Sequence, residues 1–385
     1  IGDETMKIYK TFLTVGLLLV GASANAASWL ECDGDSGKKQ KWSVDEIRVE
    51  ISTTSYPENW RTRIKDAIKI VNTNPSPFWI NTVERGGGVG DGNGQNEVYS
   101  AHIGALGVAR YWNTCEWFFG WEWGKNEVDV ILDASPTYKN GKPFPPWTLS
   151  KLKSQNYKYN GPKAMAESVF VHEFGHLLGL MHVNSEYNVM GDAVNHLITQ
   201  NGKTRSYFGE DASWGARQLY GTQSSAFRDL SVSHFRYTGV SGEYSTHDRT
   251  RAFRNNGTSW VQTGVYGGTS DGSVIEPFWE VNLGERIRFE YTVENNGKQT
   301  ENNVRGGVYI STNDWISKQD QLMGTHVWNS IEAQGAAYTF TVEITIPNNL
   351  QRRRVYWVGY IIDDNNTVHE KTGRNNAAYV PVWIN

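Results

Sequence analysis

Cysteine is nearly absent from this chain of 385 residues, which holds two, Cys32 and Cys115. Two cysteines permit one disulfide. An exported chain meets an oxidising compartment, so that single pair is the expectation, against a free Cys32 thiolate that caps a metal. A strong charge of one sign is also lacking: 37 Lys and Arg stand against 41 Asp and Glu, a net charge of −4. Such a balance gives no pull toward nucleic acid or an anionic membrane. The triplet Arg352-Arg353-Arg354 is too short for a nucleic-acid run and reads as a solvated strand edge. After the N-terminal segment no stretch is apolar enough for a membrane span. No short-period repeat appears. What the chain has in quantity is aromatic residues and glycine: 16 Trp, 19 Tyr, 14 Phe and 39 Gly. That mixture favours a folded, β-rich, turn-rich protein, and the length suggests about two domains.

The N-terminus has the three-part layout of an export signal. Met6 reads as the start, with "IGDET" as upstream sequence. Lys7 and Lys10 supply the charge, "TFLTVGLLLVGA" the apolar stretch and "ANA" at 24–26 the small-residue cleavage site. The competing reading is a buried N-terminal helix. The mature chain is expected from Ala27, secreted to the extracellular space.

The rest divides by pattern. "DEIRVEIS" (45–52), "PFWINTVE" (77–84), "HIGALGVARYW" (102–112) and "NEVDVILDAS" (126–135) read as strands, the third at an edge. "RGGGVGDGNGQNE" (85–97) reads as a glycine-rich loop. "PENWRTRIKDAIKIVN" places Trp60, Ile64, Ala67, Ile68 and Val71 on one helical face. A second helix is predicted over 161–180, with Pro162 near its start and Gly179 near its end, and a third over 210–221. Beyond 229 the chain becomes alternating strands split by Asn and Gly turns, the pattern of an all-β sandwich. The predicted division is a signal segment with its upstream residues (1–26), a catalytic domain (27–222), a linker (223–228) and a β-sandwich (229–385).

The second helix carries "VHEFGHLLGLMH", residues 171–182. His172 and His176 are four apart, so a helix puts both on one face. Gly179 lets the chain leave the helix sharply, and His182 can then approach the same point. Three imidazole nitrogens with an open fourth position are the ligand set of a catalytic zinc. Glu173, beside the first ligand, can reach the outer shell and serve as general base. The competing reading is a helix whose histidines are satisfied by core hydrogen bonds. Three at this spacing are costly to bury without a partner.

The pattern H-E-x-x-H-x-x-G-x-x-H is the metzincin signature. From about residue 41 to 221 the chain resembles the catalytic domain of matrixins. "KWSVDEIRVEI", "HEFGHLLGLMH", the short gap to "NVMG" and "GEDASWGARQLYG" carry the resemblance. It implies an α+β metzincin catalytic domain, a mixed twisted sheet with a zinc-binding helix. It makes His172, His176 and His182 the metal ligands and Glu173 the catalytic residue. Met190 becomes the methionine of the turn beneath the metal, where ordinary core packing is the alternative. "GALGVAR" (104–110) becomes the edge strand that pairs with an extended substrate, and the segment after Met190, "DAVNHLITQNGKTRSYF", becomes the main wall of the substrate pocket.

The chain departs from matrixins in places. The stretch between residue 26 and "KW" is too short for the cysteine-bearing propeptide of animal matrixins, so the expectation is a chain without that form of latency, against Cys32 or Asp33 as a minimal blocker. The histidine set of a structural zinc is missing, so His102 reads as an ordinary histidine. Asp91, Asn93, Gln95 and Glu97 offer oxygens for Ca²⁺, and a solvated turn explains them as well.

The C-terminal part resembles the immunoglobulin-like, adhesion-related modules of secreted bacterial proteins, through "GERIRFEYTVENNG", "VYISTNDWISKQDQLMG" and "VGYIIDDNNTVHEKTGRNNA". That implies a bacterial source and a binding or spacing role toward cell surfaces or glycans. There Asp363, Asp364 and Glu370 read as turn residues rather than calcium ligands. The function expected is a secreted zinc endopeptidase with protein or peptide substrates, no nucleic-acid partner and no membrane span. The alternatives are an adhesin-like binding protein with a vestigial metalloprotease domain, and a zinc hydrolase of non-peptide amides.

Overall fold

The computed structural model describes residues 28–29, 39–118, 121–133, 145–159, 161–182, 189–191, 197–200, 202–223, 227–233, 235–237, 247–249, 252–255, 263–267, 275–333, 336–371 and 373–385. The expected signal segment and the Cys32–Cys115 pairing lie outside the described residues. Among the described residues no helix is long and apolar enough to cross a membrane.

The N-terminal part is one mixed sheet with helices packed on it. Its strands are β1 (Lys39–Lys41), β2 (Glu46–Ser52), β3 (Trp79–Arg85), β4 (Asn96–Ala101), β5 (Gly107–Phe118) and β6 (Trp121–Asp133). β3, β2, β4 and β6 pair side by side in parallel, and β1 adds in parallel to the start of β6. β5 pairs antiparallel along the other side of β6 and has no further strand partner among the described residues, so it is an edge. The helix α1 (Glu58–Val71) forms where expected. It buries Ile64, Ala67, Ile68 and Val71, the stripe that its 3.6-residue period lines up.

Two sequence expectations need correction here. The strand expected over 102–112 begins at Gly107, and a separate strand, β4, occupies Asn96–Ala101. The Asp133 carboxylate accepts hydrogen bonds from the backbone of Ile103 (2.8 Å) and Gly104 (2.7 Å), which turns the chain between the two strands. The helix expected from 161 begins at Ala166. Before it, Lys163 N donates to Gln155 O and Ala164 N to Pro146 O. The strands β7 (Trp147–Thr148) and β8 (Ala164–Met165) pair there in parallel. These tertiary hydrogen bonds outweigh the local helix signal of Pro162.

That helix, α2 (Ala166–Leu178), is buried along all its residues. A helix apolar all round belongs in the middle of a core. Phe170, Phe174, Leu177 and Leu178 are fully enclosed and pack with Ile64 and Ile68 of α1 and Val128 and Val130 of β6. Each such side chain contributes about 1.5–3 kcal/mol of burial. β9 (Leu197–Gln200) and β10 (Lys203–Ser206) then form a hairpin, and α3 (Gly209–Tyr220) closes the core.

A second core lies wholly beyond residue 229. One sheet centres on β15 (Arg286–Asn295). It pairs with β11 (Leu230–Ser233) and β12 (Ala252–Arg254) on one side and β18 (Ala336–Thr345) on the other. The other sheet runs β13 (Thr263–Gly267), β14 (Ile275–Val281), β20 (Ala377–Ile384), β19 (Arg354–Ile362), β16 (Glu301–Ser311) and β17 (Gln321–Ile331). Side chains of both sheets, such as Phe289 and Tyr291 with Val358 and Tyr360, share the core. β17 escaped the sequence reading because its exposed positions obscure the alternation. Within the long connection expected over 240–272, β12 and β13 are sheet strands.

Candidate metal centre

His172 and His176 sit one helical turn apart on α2, with ring centroids 4.7 Å apart. Gly179 ends the helix with φ of 106°, a left-handed conformation that favours glycine. The chain then reverses, Leu180–Met181 pair with Ser28–Trp29, and His182 returns to the same point. The three Nε2 atoms form a nearly equilateral triangle, with separations of 3.0, 3.0 and 3.1 Å. His172 Nδ1 faces the carbonyl of Val189 and His176 Nδ1 that of Leu180, each at 2.7 Å. A carbonyl only accepts, so these Nδ1 atoms carry the protons, and the Nε2 lone pairs turn toward the common centre.

Converging lone pairs repel unless a cation lies between them. Tetrahedral zinc, with Zn–N bonds of about 2.0–2.1 Å, sets ligand nitrogens about 3.3 Å apart. The triangle matches that spacing, so the cluster His172, His176 and His182 fits a metal ion. His172 and His176 are buried and His182 is exposed, which leaves the centre open on the His182 side.

Against the helix at Gly175 lies Met190, 1% exposed. A Cβ at Gly175 would come within 2.3 Å of Met190 Sδ, so the helix can lie on the methionine only because residue 175 is glycine. The other wall is β5. Glu173 is buried, and a Cβ at Gly107 would stand 2.6 Å from its Oε1. Burial pushes the Glu173 carboxyl up to about 8, against one backbone hydrogen bond from Ala109 that favours the charged form. Its Oε2 has no hydrogen-bond partner.

Sequence reasoning passed over Gly107, Ala109, Gly175 and the carbonyls of Leu180 and Val189. Gly175 was the most detectable, being a glycine inside an otherwise strong helix.

The glycine-rich loop holds its own oxygens differently. Asp91 accepts from Tyr99 and Arg110, Asn93 from the backbone of Gln95, and Gln95 from Arg85. Glu97 accepts from Gly90 N at 2.9 Å. Glu127 accepts from the backbone of Gly92 and Gly94. Burial, with Glu127 and Glu97 alongside, pushes the neighbouring Asp129 up to about 8. The donors expected for calcium are thus each engaged by the protein itself. His102 is exposed and lies 3.6 Å from Asp133.

Residues 116–221 match the matrixin family model, and residues 273–380 match the CARDB model. The matrixin match is to a metalloprotease family, in which zinc is the metal. No curated protein matches the chain significantly. Among solved structures, one similar chain is the CARDB domain of a Pyrococcus furiosus protein in complex with di-metal ions. It is 16% identical over 42% of this chain and 97% of its own, with a TM-score of 0.24. Another is a domain from Methanosarcina acetivorans described as belonging to a cell surface protein. It is 16% identical over 25% of this chain and 75% of its own, with a TM-score of 0.20. The chain is thus matrixin-like in the part that carries the histidine cluster and CARDB-like in the β-domain that follows.

Proposed function

We propose that this chain is a secreted bacterial zinc endopeptidase that hydrolyses peptide bonds of extracellular proteins. In this reading the catalytic domain spans 27–222, a linker 223–228 joins it to the β-domain, and that immunoglobulin-like sandwich spans 229–385. The observation that carries it is the Nε2 triangle, with two Nδ1 protons fixed on backbone carbonyls and an unmatched glutamate oxygen beside it.

His172, His176 and His182 hold the metal. Zinc, when bound, supplies Lewis acidity to a scissile carbonyl and to water. The protein does the rest. The carbonyls of Val189 and Leu180 fix the imidazole tautomers and make the ligand nitrogens more basic. Glu173 takes the proton from the attacking water and returns it to the leaving amine. Its buried position and unmatched oxygen leave room for that proton between the two steps. An extended peptide laid along the outer edge of β5 runs past Gly107 and Ala109, the two residues against that carboxylate.

Removing metal from the purified chain with a chelator is expected to abolish cleavage of a protein substrate, and zinc to restore it. His176→Ala is expected to lose both bound zinc and cleavage. Full cleavage by the metal-free chain overturns the reading. The CARDB match is compatible with one further role, binding of cell-surface or glycan partners through the β-domain. If binding is the whole function, an adhesin-like protein with a vestigial protease, the zinc-loaded chain binds such surfaces and cuts no protein.

A further inference from the structure

The two cores meet across a polar seam rather than an apolar one. Arg217 Nη1 donates to the carbonyl of Asn296 (3.2 Å), Lys298 Nζ to that of Gln223 (2.7 Å) and Lys371 Nζ to that of Asn72 (3.1 Å). A cavity of ≈ 550 Å³ opens between them, lined by Arg63, Lys151 and Glu167 on one side and Asp229, Asn296 and Asn375 on the other. A seam with such a gap depends on a few anchors.

One anchor differs from the others because it ends on a buried carboxylate rather than a backbone carbonyl. Lys153 is 3% exposed, and its Nζ donates to Asp314 Oδ2 at 2.8 Å and to the Tyr379 hydroxyl at 2.7 Å. The second oxygen of the same carboxylate, Asp314 Oδ1, accepts from the backbone of Gly202 at 2.7 Å. Gly202 lies in the turn of the β9–β10 hairpin. One side chain of the β-domain therefore grips two separate segments of the N-terminal domain. Asp314 is itself well held. Two residues on, Ile316 packs with Tyr309 and Tyr379, and the loop's own side chains brace it, Asn313 Oδ1 accepting from Trp315 N.

The gripped hairpin is tied to the helix that carries two of the clustered histidines. It follows Val189, Met190 and Gly191, whose first member fixes the His172 ring. On its return strand, Thr204 Oγ1 bonds Met165 Sδ at 3.3 Å, and Met165 is the residue from which α2 starts. Lys153 N donates to Gly202 O and Thr204 N to Lys151 O, so hairpin and lysine segment move as one piece.

We infer that Asp314 is a positioning residue for the substrate site: through Lys153 and Gly202 the β-domain holds the β9–β10 hairpin in place and so sets which side chain the cleft accepts beside the scissile bond. The inference rests on the protease reading for its substrate part and on the contacts above for its mechanical part. A carboxylate that bridges a lysine and a backbone N–H couples docking to hairpin position, because loss of either bond leaves a buried charge or donor unmatched.

Two double variants separate these effects. Lys153→Met with Asp314→Asn removes the ion pair yet keeps an oxygen for Gly202. Lys153→Met with Asp314→Leu removes both. Hydrogen exchange over 197–206 is read on the zinc-loaded full chain, together with cleavage sites in a peptide library. The Leu form is expected to exchange about ten-fold faster across the hairpin and to cut with a broadened site profile at unchanged zinc content. The Asn form, which keeps the Gly202 bond and loses the Lys153 one, is expected to fall between the Leu form and the parent chain in both readouts. Equal exchange in the two variants overturns the tether. If exchange separates them but the site profile does not change, the assignment to substrate choice is overturned. Because exchange needs no turnover, a wild-type chain that cuts nothing overturns the protease reading and not the tether.

Discussion

Buried carboxylates occur in both halves of the molecule, and Glu173 is treated differently from those of the β-domain. In the β-domain, Asp363 accepts from Thr367 N and Oγ1, each at 2.8 Å, and from Val368 N at 2.9 Å. Asp364 takes both arms of the Arg305 fork, at 2.8 and 2.9 Å, and the Tyr309 hydroxyl. Glu370 accepts from Leu230 N and Asn376. These groups, Glu370 at a half-buried position, are engaged by donors of the protein itself. Glu173 is as deeply buried but receives one backbone donor and keeps an oxygen unmatched. Burial by itself therefore does not mark chemistry. A buried acid with an unmatched oxygen, next in sequence to a member of the histidine cluster, is the better marker.

The contrast can be broken experimentally. The largest effect is expected from Glu173→Gln, which keeps the shape but cannot accept the proton. Turnover should fall by about 10²–10⁴-fold while zinc content, measured by atomic absorption, stays at the wild-type value. A variant that cuts as fast as the parent erases the difference between Glu173 and the structural acids. Asp363→Ala should show the reverse signature. It strands three donors at a position with φ of 51°, so urea unfolding of the β-domain should lose about 2 kcal/mol with peptide cleavage unaffected.

The smallest effect concerns Asp229. Burial pushes it up to about 7, opposed by its Asn375 hydrogen bond and by Lys371, with Glu294 adding to the rise. A raised acid contributes stability that is present below its unfolded pKa and is lost as pH rises through the folded value. The urea midpoint should therefore drop between about pH 4 and pH 7, and Asp229→Asn should flatten that drop. An unchanged slope would show that Asp229 is matched as fully as Asp363.

Much of the N-terminal half was readable because its signals are local. A helix lines up positions four apart, so the convergence of His172 and His176 follows from spacing, and Gly179 with positive φ explains why His182 can join them. Alternation sufficed for β2 and for most strands of the second core. The failures share a cause. Helix α2 starts five residues later than Gly161 suggests because distant backbone groups claim 163–165. β5 starts at Gly107 because Asp133, on another strand, turns the chain before it.

The sequence by itself determined the histidine triad, the glutamate beside it and the two-part plan of strands and helices, since each depends on periodicities of a few residues. Tertiary structure decided the carbonyls that orient the rings, the approach of β5 to Glu173 and the grip of Asp314 on Lys153, 161 residues away. Those depend on where whole elements come to rest. Packing and loop closure decide that, and neither leaves a mark in local spacing.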